Sequence, residues 1–151
     1  MIATIPFAEY RLSRLMLGTV QFGMPYGIAN TAGQPSYETV RAILACALEG
    51  GVNVLDTAAQ YGESEAVLGR ALQDLGAADR VVVVTKVAVL SGPHGFTGTP
   101  EQVVAASVER SLKRLKLDSL PVCLFHREED FLYMETLQRL KERGTIRHIG
   151  V

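Results

Sequence analysis

Apolar residues come along this chain in two alternating rhythms. Short, nearly unbroken runs at 15–23 (LMLGTVQFG), 52–58 (VNVLDTA), 81–87 (VVVVTKV), 121–126 (PVCLFH) and 146–151 (IRHIGV) read as buried strands. Between them, apolar positions recur every three or four residues. In 36–51, Val40, Ile43, Leu44, Ala47 and Leu48 share one helical face, with Ser36 as cap and Gly50-Gly51 as stop. In 64–76, Ser64 is the candidate cap, Val67, Leu68, Ala71, Leu72 and Leu75 form the stripe, and Gly76 ends it. Thr99, Pro100 and Gln102 spell a capping box for a third helix with Val104, Val108, Ser111, Leu112 and Leu115 on one side. A fourth helix is expected over 131–144, ended by Gly144.

Strand, loop and helix therefore follow one another four times, and a fifth strand begins at 146. Four consecutive valines, Val81 to Val84, imply a strand buried on both faces, as in a parallel sheet covered by helices. Strands alternating with helices imply right-handed crossovers. Two architectures satisfy this α/β pattern. One is an open doubly wound sheet; the other is a (β/α)8 barrel, which needs about 250 residues. The 151 residues would supply about half of a barrel.

Composition narrows the function classes. With 48% hydrophobic and 21% charged residues and a formal net charge of −1, the chain has no nucleic-acid footprint. No apolar stretch approaches the roughly 20 residues of a membrane span. The N-terminus lacks the charged leader and apolar core of a secretory signal, so a cytoplasmic protein is expected. Cys46 and Cys123 lie in apolar runs without metal-ligand spacing. They read as reduced core thiols, and no metal site is expected.

Chemistry-bearing residues collect directly after the apolar runs. Asp56 ends the second strand and Tyr61 follows in the loop; Thr85 and Lys86 end the third; His126 ends the fourth. In a parallel sheet these strand ends share one rim. Taken singly, each has a structural reading: Asp56 as a turn cap, Lys86 as a solvated lysine, Tyr61 as a turn aromatic, His126 as a loop residue. Together they suit proton transfer to a carbonyl oxygen. Tyr61 is the expected general acid. Lys86 favours the phenolate it leaves behind, Asp56 anchors Lys86, and His126 aligns the carbonyl. A competing reading makes Lys86 a Schiff-base nucleophile, but Asp56 beside it would keep it charged. Gln21, Phe22 and Tyr26 follow the first strand and could wall a pocket or pack the core. His94 reads as a loop residue and His148 as a surface residue.

The same segments resemble the aldo-keto reductases. The likeness rests on LGTVQFG (17–23), GGVNVLDTAAQYGESEAVLGRAL (50–72), VVVVTKV (81–87), SVERSLKRLKLDSLPVCLFHR (107–127) and LKERGTIRHIGV (140–151). The block with Asp56, Tyr61, Gly62, Ser64, Glu65 and Gly69 is the most specific part. The opening GTVQFGMPYGIAN is most similar to bacterial members acting on sugars or other small carbonyl compounds.

The resemblance implies a (β/α)8 barrel and reversible NADPH-dependent reduction of a carbonyl, with NADH used by some members. It places the catalytic tetrad on Asp56, Tyr61, Lys86 and His126. It also sets Gly18 and Thr19, with Asp56, near the nicotinamide ribose. The family's GxGxxG-free cofactor binding agrees with this sequence, which has no such motif. HRE replaces the family's usual His-Trp or His-Xaa-Pro after the fourth strand, and the chain has no Trp.

Residues 1–151 would be the N-terminal part of a single domain, without strands six to eight and the loops that hold most of the cofactor. Two further expectations follow. The open sheet edges invite self-association, and the alternative to an enzyme is an inactive remnant or a cofactor- or partner-binding fragment.

Overall fold

The structure is a computed structural model that describes residues 2–91 and 95–151. His94 lies outside the described residues. The chain opens with an antiparallel hairpin, β1 (Thr4–Phe7) and β2 (Tyr10–Ser13). Then follow β3 (Met16–Gly18), a short α1 (Val20–Gly23), α2 (Tyr37–Glu49), β4 (Val54–Asp56) and α3 (Ser64–Asp74). The chain continues through β5 (Val82–Lys86), α4 (Pro100–Leu115), β6 (Leu120–Leu124), α5 (Met134–Glu142) and β7 (Ile146–Gly150).

Strands β3 to β7 form one parallel sheet in strict chain order, β3-β4-β5-β6-β7. This order decides between the two architectures. A doubly wound sheet reverses direction at a switch point, whereas a barrel adds each strand beside the last. The fold is a partial α/β barrel.

Side-chain alternation assigns the two faces. Leu55, Val83 and Cys123 point outward into a core shared with Leu44, Leu68, Leu72, Val104, Val108, Leu115 and Leu137 of the helices. Val54, Val82, Val84 and Val122 point inward and pack with Tyr10 and Leu12 of the hairpin and with Leu124. The valine run is therefore buried on both faces, as its composition implies. Where α3 crosses α4, a Cβ on Gly69 would lie 2.3 Å from the Arg114 carbonyl oxygen, so only glycine permits this approach.

Ser36 caps α2 through the Thr39 amide, and Thr99 with Gln102 forms the expected capping box on α4. Four expectations need correcting. The run 15–23 is not one strand: β3 stops at Gly18, the Thr19 amide still bonds the Asp56 carbonyl at 2.9 Å, and α1 follows from Val20. Ser64 is the first helical residue of α3 rather than its cap, and its hydroxyl points inward. The segment before α5 is a 3-10 turn, Glu128–Tyr133. Cys46 is exposed on α2, whereas Cys123 is buried as expected. The hairpin has no counterpart in the sequence reading. Among the described residues, β3 and β7 each have a sheet neighbour on one side only.

Candidate active site

The site forms where β4, β5 and β6 end. Asp56 and Lys86 point to the same face, since Asp56 pairs with Val84 and Lys86 lies two residues further along β5. The chain leaving β4 stays joined to β5: the Thr57 amide bonds the Val84 carbonyl at 2.8 Å and the Ala59 amide bonds the Lys86 carbonyl at 3.0 Å. The loop carrying Tyr61 is thus tied to the strand carrying Lys86.

Backbone contact fixes the other side of that loop. Gly62 has φ of +56°, and a Cβ there would lie 2.4 Å from the Gly23 carbonyl oxygen. A Cβ on Gly23 would in turn lie 1.9 Å from the Tyr61 carbonyl oxygen. Two glycines let α1 and the Tyr61 loop meet backbone to backbone.

Lys86 Nζ donates to Asp56 Oδ1 at 2.5 Å and to the Thr57 carbonyl at 3.0 Å. The pair is mostly shielded, with side chains 17% and 27% exposed. The same ammonium lies 5.2 Å from the centre of the Tyr61 ring. The rings of Tyr61 and His126 meet edge to face, with centroids 5.9 Å apart. Burial, and then the positive charges of Lys86 and Arg127, push the His126 imidazole below its ordinary value, against the pull of Asp56 and Asp130. These surroundings favour its neutral form. All four residues expected at the rim are brought together.

Gly18 ends β3 at the same rim and is exposed. A Cβ added to it would meet nothing within 4 Å. Thr19 is fully buried, and its Oγ1 donates to the Asp56 carbonyl at 2.8 Å. It supports Asp56 from behind. Phe22 is a core residue, while Gln21 and Tyr26 are exposed and bond to each other, Gln21 Nε2 to the Tyr26 carbonyl at 2.8 Å. His148 sits away from this cluster, 2.9 Å from Glu9 Oε2 in the hairpin turn.

The sequence reading did not show how the polar residues beneath the rim bond to one another. Ser64 Oγ donates to the Thr19 carbonyl at 2.7 Å and lies 2.8 Å from Thr19 Oγ1, and Thr57 Oγ1 donates to Ser64 Oγ at 3.1 Å. Glu65, wholly buried, accepts from Thr85 Oγ1 at 2.7 Å and faces Arg114 at 3.8 Å. Two adjacent residues at the start of α3 thus grip all three strands that supply Gly18, Asp56 and Lys86. The available signal was a Ser-Glu pair three residues after Tyr61, in a helix whose other charges lie outside. Cys123, pushed up to about 12 by burial and then by Glu65, is an inert thiol. Among the described residues no His, Cys, Asp and Glu cluster could hold a metal, and no helix is long and apolar enough to cross a membrane.

The sequence model of the Aldo/keto reductase family matches residues 14–151. The chain belongs to the aldo/keto reductase family. It is 33% identical over 146 residues to the aldo-keto reductase YhdN of Bacillus subtilis, covering 92% of this chain and 43% of that protein. It is 34% identical over 160 residues to norsolorinic acid reductase stcV of Emericella nidulans, covering 97% and 41%. With D-arabinose 1-dehydrogenase of Saccharomyces cerevisiae it shares 31% identity over 149 residues, covering 97% and 42%.

Solved structures agree. An aldo-keto reductase from Pseudomonas aeruginosa superposes with a TM-score of 0.81 at 33% identity, covering 97% of this chain and 58% of that one. The holo form of AKR11C1 from Bacillus halodurans gives 0.77 at 25%, covering 99% and 50%. The chain therefore spans about two fifths of its curated aldo/keto reductase relatives and half or slightly more of the solved ones.

Proposed function

We propose that this site reduces aldehyde or ketone carbonyls, small sugars among them, with NADPH or NADH as hydride donor. The observation that carries the reading is the shared Lys86 ammonium, bonded to Asp56 and facing the Tyr61 ring, with His126 on the ring's other partner edge. Tyr61 donates its hydroxyl proton to the carbonyl oxygen. Lys86 stabilises the negative charge left on the phenol, and Asp56 holds Lys86 in place. His126 orients the carbonyl oxygen toward Tyr61 by donating a ring N–H to it.

The residues fit a nicotinamide ribose. Gly18 leaves open space at the rim where any other residue would project a side chain. Asp56 uses only Oδ1 on Lys86, which leaves Oδ2 to accept from a ribose hydroxyl. Thr19 contributes by fixing Asp56, since its own hydroxyl is engaged there. A bound nicotinamide supplies the hydride.

A second reading rests on the strand count. Five strands, two of them with a sheet neighbour on one side only among the described residues, carry the proposed proton-transfer residues, while the curated relatives are more than twice as long as this chain. In that reading the chain acts only as part of a larger assembly, or binds without turnover. Titrating the 151-residue chain with NADPH by cofactor fluorescence separates the two. Saturable binding supports a working site, and its absence refutes cofactor binding by this chain alone.

A further inference from the structure

Thr19, Thr57 and Ser64 are wholly buried beneath the rim, and their hydroxyls meet. Burying a hydroxyl costs free energy unless it is bonded, and these bond to one another and to backbone carbonyls. The carbonyls they reach already have backbone donors. The Asp56 carbonyl accepts from the Thr19 amide, and the Thr19 carbonyl from the Phe22 amide, each at 2.9 Å. The hydroxyls therefore rescue no orphaned backbone group, and packing alone does not call for them: apolar side chains of the same shape would cost little. What the network does reach is the proton-transfer pair. Thr57 offers its carbonyl to Lys86 Nζ at 3.0 Å, and its hydroxyl donates to Ser64 Oγ at 3.1 Å. Ser64 donates its own amide to the Tyr61 carbonyl at 3.0 Å. One serine thus holds Tyr61 through its backbone and, through Thr57, the seat of Lys86.

We propose that Ser64 and Thr57 are positioning residues that set Lys86 against Tyr61. An ammonium has three hydrogens to donate. Asp56 Oδ1 takes one and the Thr57 carbonyl a second, which leaves the third to meet the negative charge on the phenol oxygen. The direction of that third hydrogen depends on where the Thr57 carbonyl points. Thr57 is held from three sides: its amide by the Val84 carbonyl at 2.8 Å, its carbonyl by Lys86 and its hydroxyl by Ser64. Without the hydroxyl, the carbonyl still accepts but loses its fixed direction. The Asp56 side is braced in the same way, since Thr19 Oγ1 donates to the Asp56 carbonyl and lies 2.8 Å from Ser64 Oγ. Both acceptors of the ammonium are therefore tied to Ser64, as is the loop that carries the phenol. The role rests on the reductase reading of Tyr61 and Lys86, but its test needs neither cofactor nor turnover.

The 151-residue chain is labelled with 15N-lysine, and hydrogen exchange at the Lys86 ammonium is followed by NMR, with Lys86→Arg to assign it among the four lysines. In wild type it should exchange more slowly than Lys113, Lys116 and Lys141, which are exposed. Thr57→Val keeps the shape and removes the hydroxyl; Ser64→Ala removes the group that hydroxyl bonds. Each is expected to speed Lys86 exchange roughly tenfold, the scale of losing one hydrogen bond, and Thr57→Ser, which keeps the hydroxyl, restores it. Val108→Ala, a buried truncation elsewhere on α4, leaves it unchanged. A wild-type Lys86 that exchanges as fast as the exposed lysines overturns the proposal, whether or not the variants fold. So does a folded Thr57→Val chain with wild-type exchange, a Thr57→Ser chain no slower than Thr57→Val, or a Val108→Ala chain that speeds exchange as much. Failure here leaves the reductase reading standing. Carbonyl reduction unimpaired in Tyr61→Phe would sink that reading and leave the exchange result untouched.

Discussion

Lys86 Nζ lies 2.5 Å from Asp56 Oδ1 and 5.2 Å from the centre of the Tyr61 ring, so one ammonium serves an acid and a phenol at once. Asp56→Asn removes its charged partner in a mostly shielded position. We expect the folded state to lose about 1–3 kcal/mol, read from the urea midpoint at unchanged m-value. An unshifted midpoint would mean the pair is solvated in practice.

Gly18→Ala separates cofactor from packing. Its Cβ would meet no protein atom within 4 Å, and its φ is not in the left-handed region. The melting curve should shift by no more than about 0.5 kcal/mol equivalent, while NADPH binding weakens. Gly23→Ala is the contrast, since its Cβ would lie 1.9 Å from the Tyr61 carbonyl oxygen and must displace the Tyr61 loop. Overpacking of this kind costs about 1–3 kcal/mol or more.

Glu65 is a buried charge whose one short hydrogen bond comes from Thr85. Thr85→Val strips that bond and leaves the carboxylate with Arg114 at 3.8 Å. A loss of about 1–3 kcal/mol follows. Combining it with Glu65→Met should cost less than the sum of the two single changes, because the unpaired carboxylate is gone. Strict additivity in a denaturant double-mutant cycle would contradict the coupling.

His126 sets an acid-side stability limb. Its folded value is depressed below the ordinary 6.5, so the unfolded chain binds more protons at this position in the window between the two. The contribution is fully present above about 6.5 and is lost as pH falls through the lowered folded value. The wild-type melting temperature should therefore drop between pH 7.5 and pH 5 by more than that of His126→Asn. Parallel curves for the two proteins would count against a depressed imidazole.

Much of this was legible in the sequence, for identifiable reasons. The valine run of β5 announces two buried faces, and Asp56, Lys86 and His126 stand out because each ends such a run. The capping box on α4 is spelled by Thr99, Pro100 and Gln102. The hairpin was not legible: β1 is exposed throughout and contains Pro6, so it shows no alternation to read. The buried bonds of Ser64 and Glu65 and the inward turn of Asp130 were not legible either. A serine before a helix looks like a cap, and an acidic run such as Glu128-Glu129-Asp130 looks like solvent-facing charge. Only the fold shows that Asp130 turns inward while its two neighbours stay exposed.

The most direct test of the central claim is NADPH-dependent reduction of a simple aldehyde by the 151-residue chain beside Tyr61→Phe. Turnover is expected in the wild type, with a loss of roughly 10²- to 10⁴-fold in the variant and NADPH affinity retained. Equal turnover in both proteins would contradict Tyr61 as the acid. No turnover in either would contradict the claim that this chain holds a working site.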